Sequence, residues 1–245
     1  MVQATRGIEV AWQFVTVDGT DLTGVVVQTQ AGSFVRGRVT FEGAGTPNRR
    51  QIEIAPLPVD PDLVPFSGGP KTADIRDDWS FEIPYVSGPC RLGVRSPDGW
   101  TLKAIRVKGA DVTDTPLAFG ATSQSLTDIE VVLTDQLTEI SGNVTDSRGQ
   151  PIADYTAIVF AADRRLWYDG SRFFTATRPA RDGRFTVRGL PPGDYLVAAV
   201  DRIPGRSADA EWQDPQFLDS IASRAVPVTV NEGQRSSLNP RLIAR

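Results

Sequence analysis

Nine residues, LWYDGSRFF (166–174), carry four aromatic rings: Trp167, Tyr168, Phe173 and Phe174. With Trp212 they could form a stacking platform for sugar rings, because a flat aromatic face covers the apolar C–H surface of a sugar. The same rings could pin a long loop and a helix onto a sheet, and this packing role is the preferred reading, since protein cores draw on aromatic side chains for their large buried area. Carboxylates form the second candidate group. Asp60 and Asp62 in VDPDL, Asp74, Asp77 and Asp78 in ADIRDDW, and Asp209, Glu211 and Asp214 further on could offer oxygens to calcium. None has the spacing of an EF-hand loop. Aspartate is also a common turn former, so turns are expected and no metal is assigned.

The residue types that are missing narrow the chemistry further. The chain has no histidine, which removes Ser-His-Asp and Cys-His arrangements, His-containing zinc sites and the commonest general base near neutral pH. Its single cysteine, Cys90, lies in the alternating run CRLGV and reads as a small buried apolar side chain. One cysteine forms no intrachain disulfide and excludes a Cys-rich zinc site. No carboxylate pair is singled out for glycosidase-type acid–base work. The expectation is a protein that is not an enzyme and holds no cofactor.

A net charge of -4 and scattered arginines give no nucleic-acid surface. No run approaches the roughly 20 apolar residues of a membrane helix. The start, MVQATRGIEVAW, has no apolar h-region, which leaves either a cytosolic chain or a piece of an exported one.

The elements that would position these residues follow a period of two. WSFEIP (79–84), CRLGV (90–94), LKAIRV (102–107), IEVVL (129–133), TAIVFAA (156–162), RFTVRGL (184–190) and YLVAAV (195–200) read as strands, separated by Gly, Pro, Asp and Asn. Short strands with regular turn signals predict a β-sandwich. The pattern recurs about 105 residues on, pairing Gly37 with Gly142, Val39 with Val144, Thr40 with Thr145 and Phe81 with Phe185. A third, partial copy lies at the front, where VTVDGTDLTGVVVQ (15–28) resembles VTVNEGQRSSLNPRLI (228–243), the end of a repeat. QDPQFLDSIASRA (213–225) predicts one short helix, with Asp214 as N-cap, Pro215 at the first position, and Phe217, Leu218 and Ile221 on one apolar face. That helix is expected to pack on the second sandwich.

RDGRFTVRGLPPGDYLVAAV (181–200) reads as two strands around a Leu-Pro-Pro-Gly bend. Pro191 and Pro192 withhold amide donors and stop the sheet, Gly193 is expected to supply the reversal, and Tyr195 and Val197 to return to the core. Together with GNVTDSRGQPIADYTAIVF, this stretch resembles the carboxypeptidase regulatory-like domains, which are transthyretin-like (Ig-like) β-sandwiches. The matching residues are Gly142, Val144, Thr145, Gly149, Pro151, Asp182, Gly183, Phe185 and Gly189 to Tyr195. The likeness is specific over 139–243 and weaker over 34–135, where Val86-Ser87-Gly88-Pro89 replaces the proline bend. It implies tandem sandwiches of exported bacterial proteins in an extracytoplasmic setting, and no reaction. Related metallocarboxypeptidases bind zinc through histidines, and this chain has none. Related surface-protein sandwiches carry a Lys–Asn isopeptide bond, but the second repeat has no lysine, and Lys71, Lys103 and Lys108 are not in the first-strand position.

The expected architecture is all-β: terminal strands in 1–31, a first sandwich in 32–136 and a second in 137–245 that carries the helix. The expected role is a structural or binding segment serving as spacer, scaffold or assembly module. The alternative is a carbohydrate-binding module using Trp167, Tyr168, Phe173, Phe174 and Trp212. The expected partners are other domains of a longer chain or neighbouring chains joined by strand pairing, with polysaccharide as the alternative ligand and neither nucleic acid nor a membrane span.

Overall fold

The computed structural model describes the chain except for residues 7–8, 20, 61, 63–70, 121–123, 202–210 and 245. It divides into two compact units, Met1–Asp98 with Leu102–Thr134, and Gly99–Thr101 with Asp135–Arg245. The fold is all-β, with one α-helix among the described residues.

The first unit opens with β1 (Val2–Arg6), β2 (Glu9–Gln13) and β3 (Gln30–Ala31), which form a three-stranded sheet in that order. Residues 15–28 were expected to be strand-like, but the described residues between 14 and 29 form none. They join no ladder among the described residues, and Gly19 and Gly24 are both at positive φ. The strands that follow are β4 (Ser33–Glu42), β5 (Glu53–Pro58), β6 (Asp74–Ile75), β7 (Ser80–Val86), β8 (Gly88–Arg95), β9 (Thr101–Val107), β10 (Ala110–Asp111), β11 (Leu117–Phe119) and β12 (Leu126–Thr134). One sheet runs β10-β9-β12-β4-β7-β6 and the other β11-β8-β5. Val35, Val39, Phe81, Ile83, Val131 and Leu133 of the larger sheet are buried, as are Ile54, Cys90 and Leu92 of the smaller. The other face of the larger sheet carries polar pairs. Arg106 and Thr40 both bond Glu130, Lys103 bonds Glu42 at 2.7 Å, and Arg36 bonds Glu82.

The second unit contains β13 (Glu139–Thr145), β14 (Pro151–Ile152), β15 (Thr156–Ala161), β16 (Phe174–Thr177), β17 (Arg184–Arg188), β18 (Gly193–Val200), α1 (Pro215–Ala222), β19 (Val226–Val230), β20 (Arg235–Ser237) and β21 (Leu242–Ile243). One sheet runs β14-β13-β17 with β20 beside β13, and the other β16-β15-β18-β19 with β21 beside β18. Ile140, Val144, Phe185 and Val187 of the first meet Val159, Tyr195 and Val197 of the second in one core. The helix forms as the sequence predicts: the Asp214 carboxylate accepts from Gln216 N at 2.8 Å, and Phe217, Leu218 and Ile221 are buried. These three side chains cover the opposite face of the β16-β15-β18-β19 sheet, over Ile158, Phe160, Ala198 and Val200. Every residue of β15 is therefore buried, in keeping with its nearly unbroken apolar sequence TAIVFA.

The Leu-Pro-Pro-Gly stretch is a turn. Its left-handed residue is Gly189 at φ 76°, not Gly193, which is already the first residue of β18. Gly189 N donates to Thr138 O at 3.0 Å, and Thr138 Oγ1 donates to Leu190 O at 2.6 Å, so the reversal is fastened before the prolines are reached. Tyr195 Oη then donates to Pro191 O at 2.7 Å, which closes the bend over the core.

Candidate functional site

The aromatic connection leaves β15 through Asp163, whose carboxylate accepts from Arg165 N at 2.9 Å and caps a short 3-10 turn over Arg164–Leu166. Hydrogen bonds from the Arg165 side chain and backbone hold the Asp163 carboxyl below its ordinary range. This turn rotates Trp167 inward. The ring packs edge-on against Phe160 with centroids 5.5 Å apart, and its indole N–H donates to Ala161 O at 2.8 Å. On the solvent side Arg164 lies over the ring and pairs with Asp219 of α1 at 2.6 Å. Phe174 enters the same core from β16 and meets Trp212 edge-on at 5.6 Å. Phe173, its neighbour in sequence, points the other way and packs against the core between the two sheets, as alternation along a strand requires. Tyr168 is half-buried.

The five rings thus do not share one face. Trp167 is 8% exposed and Phe174 7% exposed, so neither offers an open face on which a sugar could stack. Ring surface reachable from solvent belongs to the half-buried Tyr168, Phe173 and Trp212. What the arrangement does physically is to fasten α1 to the sheet, from below through the rings and from above through the Arg164–Asp219 pair. The second unit also has an open cleft of about 410 Å³ lined by Gln136, Thr138, Glu139, Arg188 and Arg235, in which Arg188 bonds Glu139 at 2.8 Å.

Of the carboxylates considered for calcium, Asp60, Asp78 and Asp214 accept from backbone amides and Asp77 pairs with an arginine. Asp60 accepts from Asp62 N at 2.9 Å, Asp77 pairs with Arg49, and Asp214 caps α1. Asp78 accepts from both Ser80 N and Ser80 Oγ, and the hydroxyl bond is the main reason its carboxyl is held below the ordinary range. Asp209 and the Glu211 side chain lie outside the described residues. Among the described residues no three His, Cys, Asp or Glu gather to hold a metal ion. Cys90 is buried, with Sγ 3.5 Å from Ser87 O, and burial pushes its thiol up to about 11.

A feature that the chemistry-bearing residues did not point to lies in the first strands of the two units. β12 runs parallel to β4 and pairs Ile129 with Gly37, while β20 runs parallel to β13 and pairs Ser237 with Ser141. A Cβ on Gly37 would overlap the carbonyl of Ile129, and one on Gly142 the carbonyl of Leu238. Each glycine lets a closing strand approach the first strand at backbone distance. The signal was present in the repeat itself, which aligns Gly37 with Gly142.

No family model matches the chain, and no curated protein matches it. Solved structures similar to it include a Bacillus anthracis protein named TIE (10% identity, 87% of this chain, TM-score 0.28), a streptococcal ancillary pilin (15% identity, 93% of this chain and 69% of the pilin, TM-score 0.33) and a shaft pilin of Lactobacillus rhamnosus GG (10% identity, 87% of this chain and 98% of the pilin, TM-score 0.30). The chain spans 34% of the Bacillus anthracis protein. All three scores lie below 0.5, and no activity or partner is carried over from these structures. No described helix is long and apolar enough to cross a membrane.

Proposed function

We propose that the chain is a non-enzymatic structural and assembly segment of an exported bacterial protein. On this reading its parts are terminal strands in 1–31 and two sandwiches of the carboxypeptidase regulatory-like kind in 32–136 and 137–245. One observation carries the reading: the residues best suited to hold a ligand are spent on holding the scaffold together. Trp167 and Phe174 are buried under α1, and the indole N–H is bonded to the chain's own backbone. The capping aspartates and the Tyr195 hydroxyl are used in the same way. Family membership is supported by the Gly142, Val144, Asp182-Gly183 and Gly189 to Tyr195 residues, which occupy strand and turn positions suited to their types.

The test is binding of the full chain to a panel of polysaccharides, with Trp212→Ala and Trp167→Ala alongside. The expected result is no saturable binding, and a loss of about 3 kcal/mol or more of stability in Trp167→Ala from emptying a buried ring site. Saturable binding that disappears in a folded Trp212→Ala variant would replace this reading with carbohydrate recognition.

A further inference from the structure

We infer that residues 22–29, LTGVVVQT, are a closing strand for a β-sandwich on a separate chain, one left open beside its own first strand. The inference starts from how sandwiches of this repeat are closed. In both units the last strands return to lie parallel beside the first, β12 along β4 and β20 along β13, next to a glycine that admits them.

Residues 22–29 have the sequence of such a strand. LTGVVVQT matches LTDIEVVL (126–133), the body of β12, with Leu-Thr at the front of both. The third residue is left-handed in both, Gly24 at φ 75° and Asp128 at φ 61°. Asp128 is one of four described non-glycine residues at positive φ, so this shared conformation is specific. It marks the irregularity at which β12 joins its ladder. Beyond it, Val25 and Val27 fall where β12 places Ile129 and Val131. One residue fewer separates Gly24 from Gly37 than Asp128 from Gly142, and both segments precede the first strand of a sandwich.

Burial is where the two segments part. Ile129 is 1% exposed and Val131 0%, whereas Val25 is 44% exposed and Val27 only half-buried. The stretch just upstream repeats the contrast: Val15-Thr16-Val17 matches Val228-Thr229-Val230 of β19, yet Val230 is 0% exposed and Val17 72%. A strand that is core elsewhere in the molecule is here without its core.

The missing cover does not come from the described part of this chain. The places beside β4 and β13 are filled by β12 and β20. Nor does it come from the residues immediately upstream, which are committed to β1 and β2. β2 pairs Glu9 with Ala31 and Val10 with Gln30, and Thr29 Oγ1 donates to Glu9 at 2.7 Å. Both ends of 14–29 are therefore held near one another, and the described residues between them join no ladder. A sandwich on another chain, open beside its first strand, offers the parallel ladder and the apolar interior that this loop lacks.

The inference rests on the assembly reading above and gives it a partner, and its failure would leave the polysaccharide result untouched. The probe is the full chain with 126–134 replaced by a Gly-Ser linker, and with Val25→Asp and Val27→Asp so that it cannot donate its own loop. It is used once uptake of the free peptide LTDIEVVLT has been demonstrated. Wild-type chain is then added. The expected result is a one-to-one complex by sedimentation, with amide exchange across 22–29 slowed by about tenfold or more. A donor carrying Val25→Asp and Val27→Asp forms no complex. An acceptor that takes the peptide but not the wild-type chain overturns the inference. So does an isolated monomer in which the 22–29 amides are already as protected as those of 129–134.

Discussion

Cys90 shows how a single residue type that might suggest reactivity is turned to packing. It is 2% exposed among the smaller-sheet residues of the first unit, and burial moves its thiol from the ordinary 9.0 up to about 11. The thiolate is disfavoured in the fold and accessible in the unfolded chain. The stability tied to this group is therefore fully present below pH 9 and is lost as the pH rises from 9 to 11. Cys90→Ala has no thiol to ionise. The stability difference between wild type and Cys90→Ala, followed by urea unfolding, is expected to shrink steadily between pH 9 and pH 11. A difference that stays constant across that window would mean the thiolate is solvated in the fold. Tyr155 adds a second alkaline effect in the other unit, since burial, and then the Asp182 charge, push its hydroxyl upward too. Comparing only the Cys90 pair removes that contribution. The sequence placed Cys90 in the core from its alternating run, but the aromatic residues were harder to place. Nothing in LWYDGSRFF says that Trp167 and Phe174 turn to one core while Phe173 turns to the other. That depends on the Asp163 turn and on the helix arriving from about 50 residues later in the chain.

At the level of elements, what could be read from the sequence was whatever depends on neighbours along the chain. Alternation located β7, β8, β9, β12, β15, β17 and β18, and Asp214-Pro215 located α1. The burial of both faces of β15 was foreshadowed by its apolar sequence and by the apolar face of α1. The parallel return of β12 and β20 was not readable, because it depends on the distant first strands. The repeat does hint at it through Gly37 and Gly142, which fall where a closing strand's carbonyl presses on the first strand. Gly37→Ala and Gly142→Ala are each expected to lose about 3 kcal/mol or more, because the added methyl meets backbone rather than a movable side chain. The loss should be confined to the unit that carries the substitution, read by hydrogen exchange in β12 for Gly37→Ala and in β20 for Gly142→Ala. A cost below about 0.5 kcal/mol, the range of ordinary surface changes, would mean the closing strands sit farther out than described.

For the molecule as a whole, the distribution of exposed apolar surface matters more than its amount. Met1, Val2, Phe14, Val17, Leu22, Val25 and Val26 are the large exposed apolar side chains among the described residues of the first 26, and among the rest of the described chain only Leu57 and Val59 join them. Sandwich surfaces in the two units are otherwise charged ladders and capped turns, as expected of modules exposed to water. Among the described strands β3 pairs with β2 alone, and the β4 ladder begins at Ser33 with β7 and β12, so no described strand pairing joins residues 1–31 to a sandwich sheet. Removing those residues should therefore leave the folding of both units intact while taking away the adhesive surface. The chain 32–245 is expected to unfold within about 0.5 kcal/mol of the full chain in urea. It should also bind far less of an apolar dye and lose any concentration-dependent association. A large drop in stability would make the front strands part of the first unit's cooperative core. Unchanged dye binding would move the sticky surface to Leu57 and Val59 at the edge of β5.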